Sequence, residues 1–316
     1  MHKNRWLVAL VGGCLVSWTG IPSAKALHAE DDASLVTSKE KPLAWSIRGS
    51  LGALQGDALE QVFEEDYKVS ELQWDLSGLA MGGAILSGRY GSRLGVNLGA
   101  WSALTKGNGE MKDYDWLVEG MDWSDYSRSD VEVDEGMTFD LNASWLLTTC
   151  PEFGVRAVIG YKQDHWKWTD QGREYIYSEF GFRDTEGDFE GINVINYEQT
   201  FEIPYAGLNL SGKMGSFLWT AYGLYSPLVS AEDKDHHVLR DLHFEESFSG
   251  GDFYALGLTG LYQINSRWFV SATAHYQSIP EFRGDMYIVE DDTKYEDAAG
   301  IGNDLLTLSA SVGLTF

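Results

Sequence analysis

From Leu306 to the end of the chain, Leu306, Leu308, Ala310, Val312, Leu314 and Phe316 alternate with Thr307, Ser309, Ser311, Gly313 and Thr315. One face is apolar and the other small and mostly polar, the pattern of a strand between lipid and a lumen, although a half-buried soluble strand shares it. The pattern recurs. Phe139, Leu141, Ala143 and Trp145 oppose Thr138, Asp140, Asn142 and Ser144, and Leu94, Val96, Leu98 and Ala100 oppose Gly95, Asn97 and Gly99. Val155, Ala157, Ile159 and Tyr161 form another apolar set, as do Trp268, Val270, Ala272, Ala274 and Tyr276. Such runs predict about ten strands, near 44–64, 69–86, 92–112, 130–149, 153–170, 192–212, 216–234, 242–263, 267–284 and 303–316. Segment 216–234 alternates poorly, and its faces are not assigned by pattern.

Many of these segments exceed the ~9–11 residues a strand needs to cross a bilayer, which predicts a tall cup projecting beyond the membrane. Short connections near Ser87–Ser92, Cys150–Phe153, Gly212–Ser216 and Asn265–Arg267 alternate with long acidic ones near 107–135, 170–191, 232–244 and 284–302. Short turns on one side and long loops on the other are the habit of outer-membrane barrels. The expected fold class is all-β: a ten-stranded antiparallel transmembrane β-barrel with long outer loops.

Composition agrees. The chain holds 35 Gly, 12 Trp, 16 Tyr and 14 Phe but only 6 Pro; aromatics suit interfacial girdles and glycines suit barrel bends. Lys3 and Arg5 precede an apolar run from Trp6 to about Val16, with Ala24 and Ala26 beyond it, the form of a cleaved secretory signal. This assigns 1–26 to a signal peptide, with Ala29 the alternative cleavage site, and 27–316 to a single barrel domain. The exported domain keeps only Cys150, so it cannot form an internal disulfide. A formal net charge of −25 argues against nucleic acid and for cationic partners. Residues 107–135 alone carry ten carboxylates against Lys112 and Arg128, which focuses the charge at the outer mouth.

Two motifs lie in the acidic connections: Asp113-Tyr114-Asp115-Trp116 and Asp233-Lys234-Asp235-His236-His237. In extended chain, residues i and i+2 share a face, so Asp113 pairs with Asp115 and Asp235 with His237. The lumen parity of Gly95, Asn97 and Gly99, carried forward, points Asp113 and Asp115 inward. A carboxylate beside a histidine fixes the imidazole tautomer and makes a general base. Two adjacent carboxylates resist double ionisation, so one holds a proton or both position a water. Solvated acidic loops with a stray histidine have the same composition.

Further motifs are Asn108-Gly109-Glu110-Met111-Lys112, Trp123-Ser124-Asp125-Tyr126-Ser127-Arg128, Tyr175-Ile176-Tyr177-Ser178 and Gly181-Phe182-Arg183-Asp184. Together with the two acidic motifs, in this order, they make the chain resemble the omptin family of outer-membrane endopeptidases. That resemblance implies a ten-stranded barrel whose Asp–His and Asp–Asp pairs activate water to cleave polypeptides at or between basic residues. Carried over, the catalytic pairs are Asp235 with His237 and Asp113 with Asp115, and the acidic pocket for a basic P1 side chain is Glu60 with Asp233. Glu60 shares parity with Ser46, Ser50 and Gly52. Asp125 and Ser127 match an Asp–x–Ser at the far side of the substrate cleft; capping of a loop turn is their alternative role. No cofactor and no metal are implied, although carboxylate and imidazole are suitable metal donors. Implied partners are cationic peptides or proteins and outer-membrane lipid, for a monomer whose site faces the cell exterior. Lipopolysaccharide is a possible activator, but the exterior arginines expected for it fall on His165 and Thr200, with Lys167 on the same face as His165. His236 has the parity opposite to His237 and reads as outward and noncatalytic, while His243 and His275 read as structural. A noncatalytic adhesin or small pore accounts for the barrel but not for the paired motifs. A lipid-modifying barrel enzyme needs a Ser–His arrangement that does not stand out.

Overall fold

Closure of a single antiparallel sheet organises the computed structural model, which describes residues 43–118, 120–150 and 153–316. The proposed signal segment lies outside the described residues. The strands are β1 (Leu43–Glu64), β2 (Tyr67–Asp75), β3 (Leu79–Tyr90), β4 (Leu94–Ala103), β5 (Gly109–Asp115), β6 (Asp125–Thr149) and β7 (Phe153–Tyr177). They continue as β8 (Thr185–Asp188), β9 (Ile195–Met214), β10 (Phe217–His237), β11 (Leu242–Gln263), β12 (Trp268–Ile288) and β13 (Thr293–Thr315). A ring of ten strands runs β1, β3, β4, β6, β7, β9, β10, β11, β12, β13, and β1 closes it against β13 from Ser46↔Thr315 to Val62↔Ala299. Full closure removes the unpaired sheet edge that lipid does not tolerate.

Two predicted strands are broken. Segment 69–86 is β2 and β3, interrupted at 76–78, and segment 92–112 is β4 and β5, interrupted at 104–108. Gly78 and Gly107 have φ of +69° and +72°, a conformation only glycine adopts freely, and a Cβ on either would meet Asn108 or Ser77. The two kinks lie side by side, where Asn108 N–H donates to the Ser77 carbonyl at 3.2 Å. Above them β2 and β5 pair with each other and bridge β1 to β6, so a second ring is built over the first.

The long acidic connections are shorter than their composition suggests. Of 107–135, β5 and β6 take 109–115 and 125–135; 232–244 contracts to a turn at 238–241, and 284–302 to one at 289–292; 170–191 carries the end of β7 and the short β8. Charged residues outside the membrane occupy a solvated face without breaking the ladder. Arg128 bridges Glu110, Asp130 and Glu174, and Lys106 bridges Glu132 and Asp134.

The outer face of the lower barrel carries an exposed apolar band, including Leu208, Leu210, Leu256, Leu258, Val270, Leu308 and Val312. Above it, outward positions such as Glu232, Lys234, Glu245 and Ser247 are charged or polar. Bulges separate the levels. In β10 the buried positions are Leu218, Thr220 and Ser226 below, but Val229, Ala231, Asp233 and Asp235 above. The register shifts between Ser226 and Val229, around Pro227, absorb one extra residue and exchange even for odd parity. The poor alternation of 216–234 therefore has a structural cause. β6 makes the same exchange at Val133/Glu135, and β11 near Gly250.

Inside, Trp74, Trp168 and Tyr197 stack with centroids 5.0–5.9 Å apart and, with Trp166, Met111 and Leu72, form an apolar plug beneath the rim. Below it is a cavity of about 280 Å³ lined by polar groups such as Asn142, Lys162, Tyr222 and His275. Tyr222 reaches His275 Nδ1 at 2.9 Å, in keeping with a structural role for that histidine.

Candidate active site

The upper ring holds the charged residues that the motifs single out. Because β10 remains a strand as far as His237, the i, i+2 rule applies to it directly, and above the bulge Asp233, Asp235 and His237 share the inward face. Asp235 Oδ2 lies 2.6 Å from His237 Nε2. A carboxylate there only accepts, so Nε2 carries the proton and Nδ1 keeps the lone pair of the neutral ring. Arg240, from the turn after β10, donates to Nδ1. The second oxygen of Asp235 is buried and accepts no hydrogen bond among the described residues.

Asp113 and Asp115 point inward from β5, as parity predicts. The break at 104–108 does not change phase: Asn97, Gly99 and Trp101 line the lumen from β4, and odd positions continue inward along β5. Around the upper ring β5 and β10 are separated by β6, β7 and β9, so they face each other across the mouth. Both carboxyls lie above the apolar band. Burial, the neighbouring Asp115 and then Asp235 from the far wall raise Asp113 well above the usual carboxylate range. Asp115 is raised by burial, with Ser70, Arg240 and His237 opposing the shift. Ser70 on β2 donates to Asp113 at 3.4 Å. Tyr177 at the top of β7 is also pushed up, by burial and by Asp113 and Asp115.

Beneath this cleft is a buried acidic pocket. Glu60, Asp233 and Glu246 are 3%, 3% and 4% exposed and come from β1, β10 and β11. Trp74 Nε1–H donates to Glu60 at 3.2 Å, and the Tyr197 hydroxyl donates to Asp233 at 2.9 Å. Asp233 and Glu246 are direct cross-strand partners and share a hydrogen bond. Burial, then the charges of Asp235 and Asp233, lift Glu60 well above its ordinary value. Burial, then Asp233 and Glu60, do the same to Glu246, and burial pushes Asp233 up to about 7. Three carboxyls in one buried pocket resist joint ionisation unless a cation joins them. Asp233 Oδ1 and Glu246 Oε2 accept no hydrogen bond among the described residues, so acceptors remain for such a group.

Asp125 and Ser127 lie on β6 opposite Asp115 and Asp113. Asp125 accepts from Ser124 Oγ at 2.7 Å and from the Ser178 N–H at 2.8 Å, which ties loop 116–124 to the end of β7. Ser127 is buried and is the direct cross-strand partner of Asp113. On the exterior, His165 bonds Thr200 at 2.9 Å and Lys167 pairs with Glu198 at 3.5 Å. Glu246 and Arg240 were not singled out by the sequence. Glu246 had a signal, as the acid between Phe244 and Phe248 on an otherwise apolar face; Arg240, in a turn, had none.

The closed ten-strand ring with its exposed apolar band defines an outer-membrane β-barrel, and an acidic cleft opens above that band. The Omptin family model matches residues 41–316, and the chain belongs to that family. It is 29% identical over 285 residues to the plasminogen activator of Yersinia pestis, covering 87% of this chain and 90% of that protein. It is 28% identical over 277 residues to the outer membrane protease OmpP of Escherichia coli K12, covering 84% of this chain and 88% of that one. The crystal structure of the Escherichia coli outer membrane protease OmpT superposes with a TM-score of 0.81 at 25% identity, covering 89% of this chain and 99% of that chain. The protein is an outer-membrane protease.

Proposed function

We propose that the protein is an endopeptidase that cuts polypeptides after Arg or Lys at the exterior mouth of the barrel, with Asp113, Asp115, Asp235 and His237 as catalytic residues. The observation that carries this reading is the Asp235–His237 pair, 2.6 Å apart, facing two neighbouring aspartates across one cleft. A water between the pairs gives a proton to His237 Nδ1 once Arg240 has moved from that nitrogen, while Asp235 holds the other ring N–H and stabilises the imidazolium. The resulting hydroxide adds to the peptide carbonyl carbon. The proton shared by Asp113 and Asp115 stabilises the developing oxyanion. His237 returns its proton to the amide nitrogen as the C–N bond breaks, giving a carboxylic acid and an amine.

Specificity comes from the pocket beneath. A guanidinium or ammonium at P1 supplies the cation that lets Glu60, Asp233 and Glu246 ionise, and it donates to their free oxygens. The closed ring leaves no sheet edge for strand pairing with a second copy, which fits a monomer. At the exterior positions where a lipopolysaccharide phosphate would be gripped, His165 bonds Thr200 and Lys167 pairs with Glu198, which argues against a lipopolysaccharide requirement. The test is cleavage of peptides differing only at P1 (Arg, Lys, Gln, Leu) by wild type and His237→Ala. Arg and Lys peptides should be cut by wild type alone, with the variant orders of magnitude slower while its β circular dichroism persists. Near-normal turnover by the variant overturns the mechanism, and equal cutting of the Arg and Leu peptides overturns the pocket.

A further inference from the structure

The outward face of the β10–β11 hairpin carries a second cluster, back to back with Asp235 and His237. His236 and His243 are direct cross-strand partners, stacked with ring centroids 3.9 Å apart and planes 12° from parallel. Asp241, in the turn between them, places Oδ1 3.7 Å from His236 Nε2. One donor atom from each of the three lies within 4.8 Å of the other two. His236 Nε2 is buried yet makes no hydrogen bond among the described residues, and Asp241 is too far to provide one. Glu290 approaches the other ring: its Oε1 is 2.7 Å from His243 Nδ1, and its Oε2 accepts the His243 backbone N–H at 2.9 Å. A carboxylate facing Nδ1 keeps the proton there and leaves the His243 Nε2 lone pair available, which is how ligating histidines are oriented.

We propose that His236, Asp241 and His243 bind one divalent transition-metal ion of the zinc type, with Glu290 as the positioning residue. Zinc takes imidazole nitrogen at about 2.0–2.1 Å and carboxylate oxygen at about 2.0–2.2 Å, so tetrahedral ligands stand about 3.3–3.5 Å apart. The 3.7 Å separation of His236 and Asp241 is already near this; Asp241, 92% exposed in the turn, is free to rotate, and rotation of the two rings at the adjoining strand ends turns their nitrogens toward one ion. Two imidazoles and one carboxylate favour zinc, copper or nickel over calcium or magnesium. Stacking of two cross-strand rings explains their contact. It leaves unexplained the unsatisfied His236 nitrogen and the carboxylate placed on the far ring. A bound ion would staple the two arms of the hairpin that presents His237 to the cleft.

The experiment is calorimetric titration of the folded, chelator-stripped, full barrel in detergent with Zn²⁺, alongside electron paramagnetic resonance with one equivalent of Cu²⁺. Wild type and Asp235→Ala/His237→Ala should each bind one ion, and the copper spectrum should show two nitrogen ligands. His236→Ala/His243→Ala should lose the site, and Glu290→Gln should weaken it by about 10–100-fold, as losses of such outer partners do. Unchanged binding in the double-histidine variant overturns the proposal. So does loss of binding in Asp235→Ala/His237→Ala, which would move the ion into the cleft.

Discussion

The lower barrel and the rim are built from the same strands under different rules. In the membrane, lipid fixes the outer face, and alternation runs unbroken along β13 from Leu305 to Thr315, where Leu308, Ala310 and Val312 turn outward and Ser309, Ser311 and Gly313 inward. Above the apolar band no such constraint holds. There β6, β10 and β11 re-phase at bulges, and β3 and β4 give way to β2 and β5. The lower half needs a closed wall; the upper half needs particular carboxylates aimed at one cleft. Bulges and glycine kinks let one chain meet both demands, and the charged interior of the rim is placed where water and substrate reach it.

The largest effect should come from undoing that re-phasing. One serine inserted between Ala231 and Glu232 moves Asp233, Asp235 and His237 by one position, and a one-residue slip sends every side chain to the opposite face. Peptide cleavage should fall by orders of magnitude, to the level of His237→Ala, although no site residue has been replaced. The same insertion in the turn at 215–216 lies below the wall and should leave cleavage near normal. Wild-type turnover by the rim insertion would show that the parity of β10 does not set the site.

This contrast also explains what the sequence allowed one to read. The ring of ten strands was legible because lipid writes a period of two into each transmembrane segment. The facing of Asp113 and Asp115 was legible through the 104–108 break because inward positions are odd on both sides of it. Segment 216–234 was not, since the extra residue at Ser226–Val229 is invisible to a fixed-period reading. The acidic stretch 125–129, ahead of the strand expected at 130–149, read as loop because charge suggests solvent, yet a strand above the membrane has a solvated face. The roles proposed for Glu60, Asp233 and the catalytic pairs came from motif resemblance more than from pattern. Glu246 joins Glu60 only through closure of the ring, as β11, β12, β13 and β1 follow one another, and no local signal reports that proximity.

A smaller effect should follow from weakening the pocket and leaving the catalytic pairs intact. Glu60→Gln removes one charge-assisted contact to a P1 cation, worth about 1.5–3 kcal/mol, so kcat/KM for Arg and Lys peptides should drop roughly ten- to a hundredfold. Glu60→Lys should abolish basic P1 cleavage, because like charges brought together cost several kcal/mol. A membrane-half carboxylate such as Asp140, bonded to Tyr205 below the plug, should affect P1 preference not at all when changed to Asn. A matching loss in Asp140→Asn would mean that barrel integrity is being measured and not recognition.

The smallest effect is on stability. Glu60, Asp233 and Glu246 hold protons more tightly in the folded barrel than in the unfolded chain, with Asp233 at about 7. A raised folded-state value stabilises the protein below the unfolded value, near pH 4, and that contribution is lost as pH rises through about 7. The melting temperature of the substrate-free protein in detergent should therefore fall between pH 5 and pH 8. Glu246→Gln removes one of the three protons and the repulsion that accompanies its loss, so its fall should be shallower. The variant should melt a few degrees above wild type at the higher pH and close to it at the lower. It should also cleave basic peptides less well, since a pocket that no longer repels itself attracts a cation less. Parallel melting curves for the two proteins across this range would show that the three carboxyls do not share their protons in one pocket.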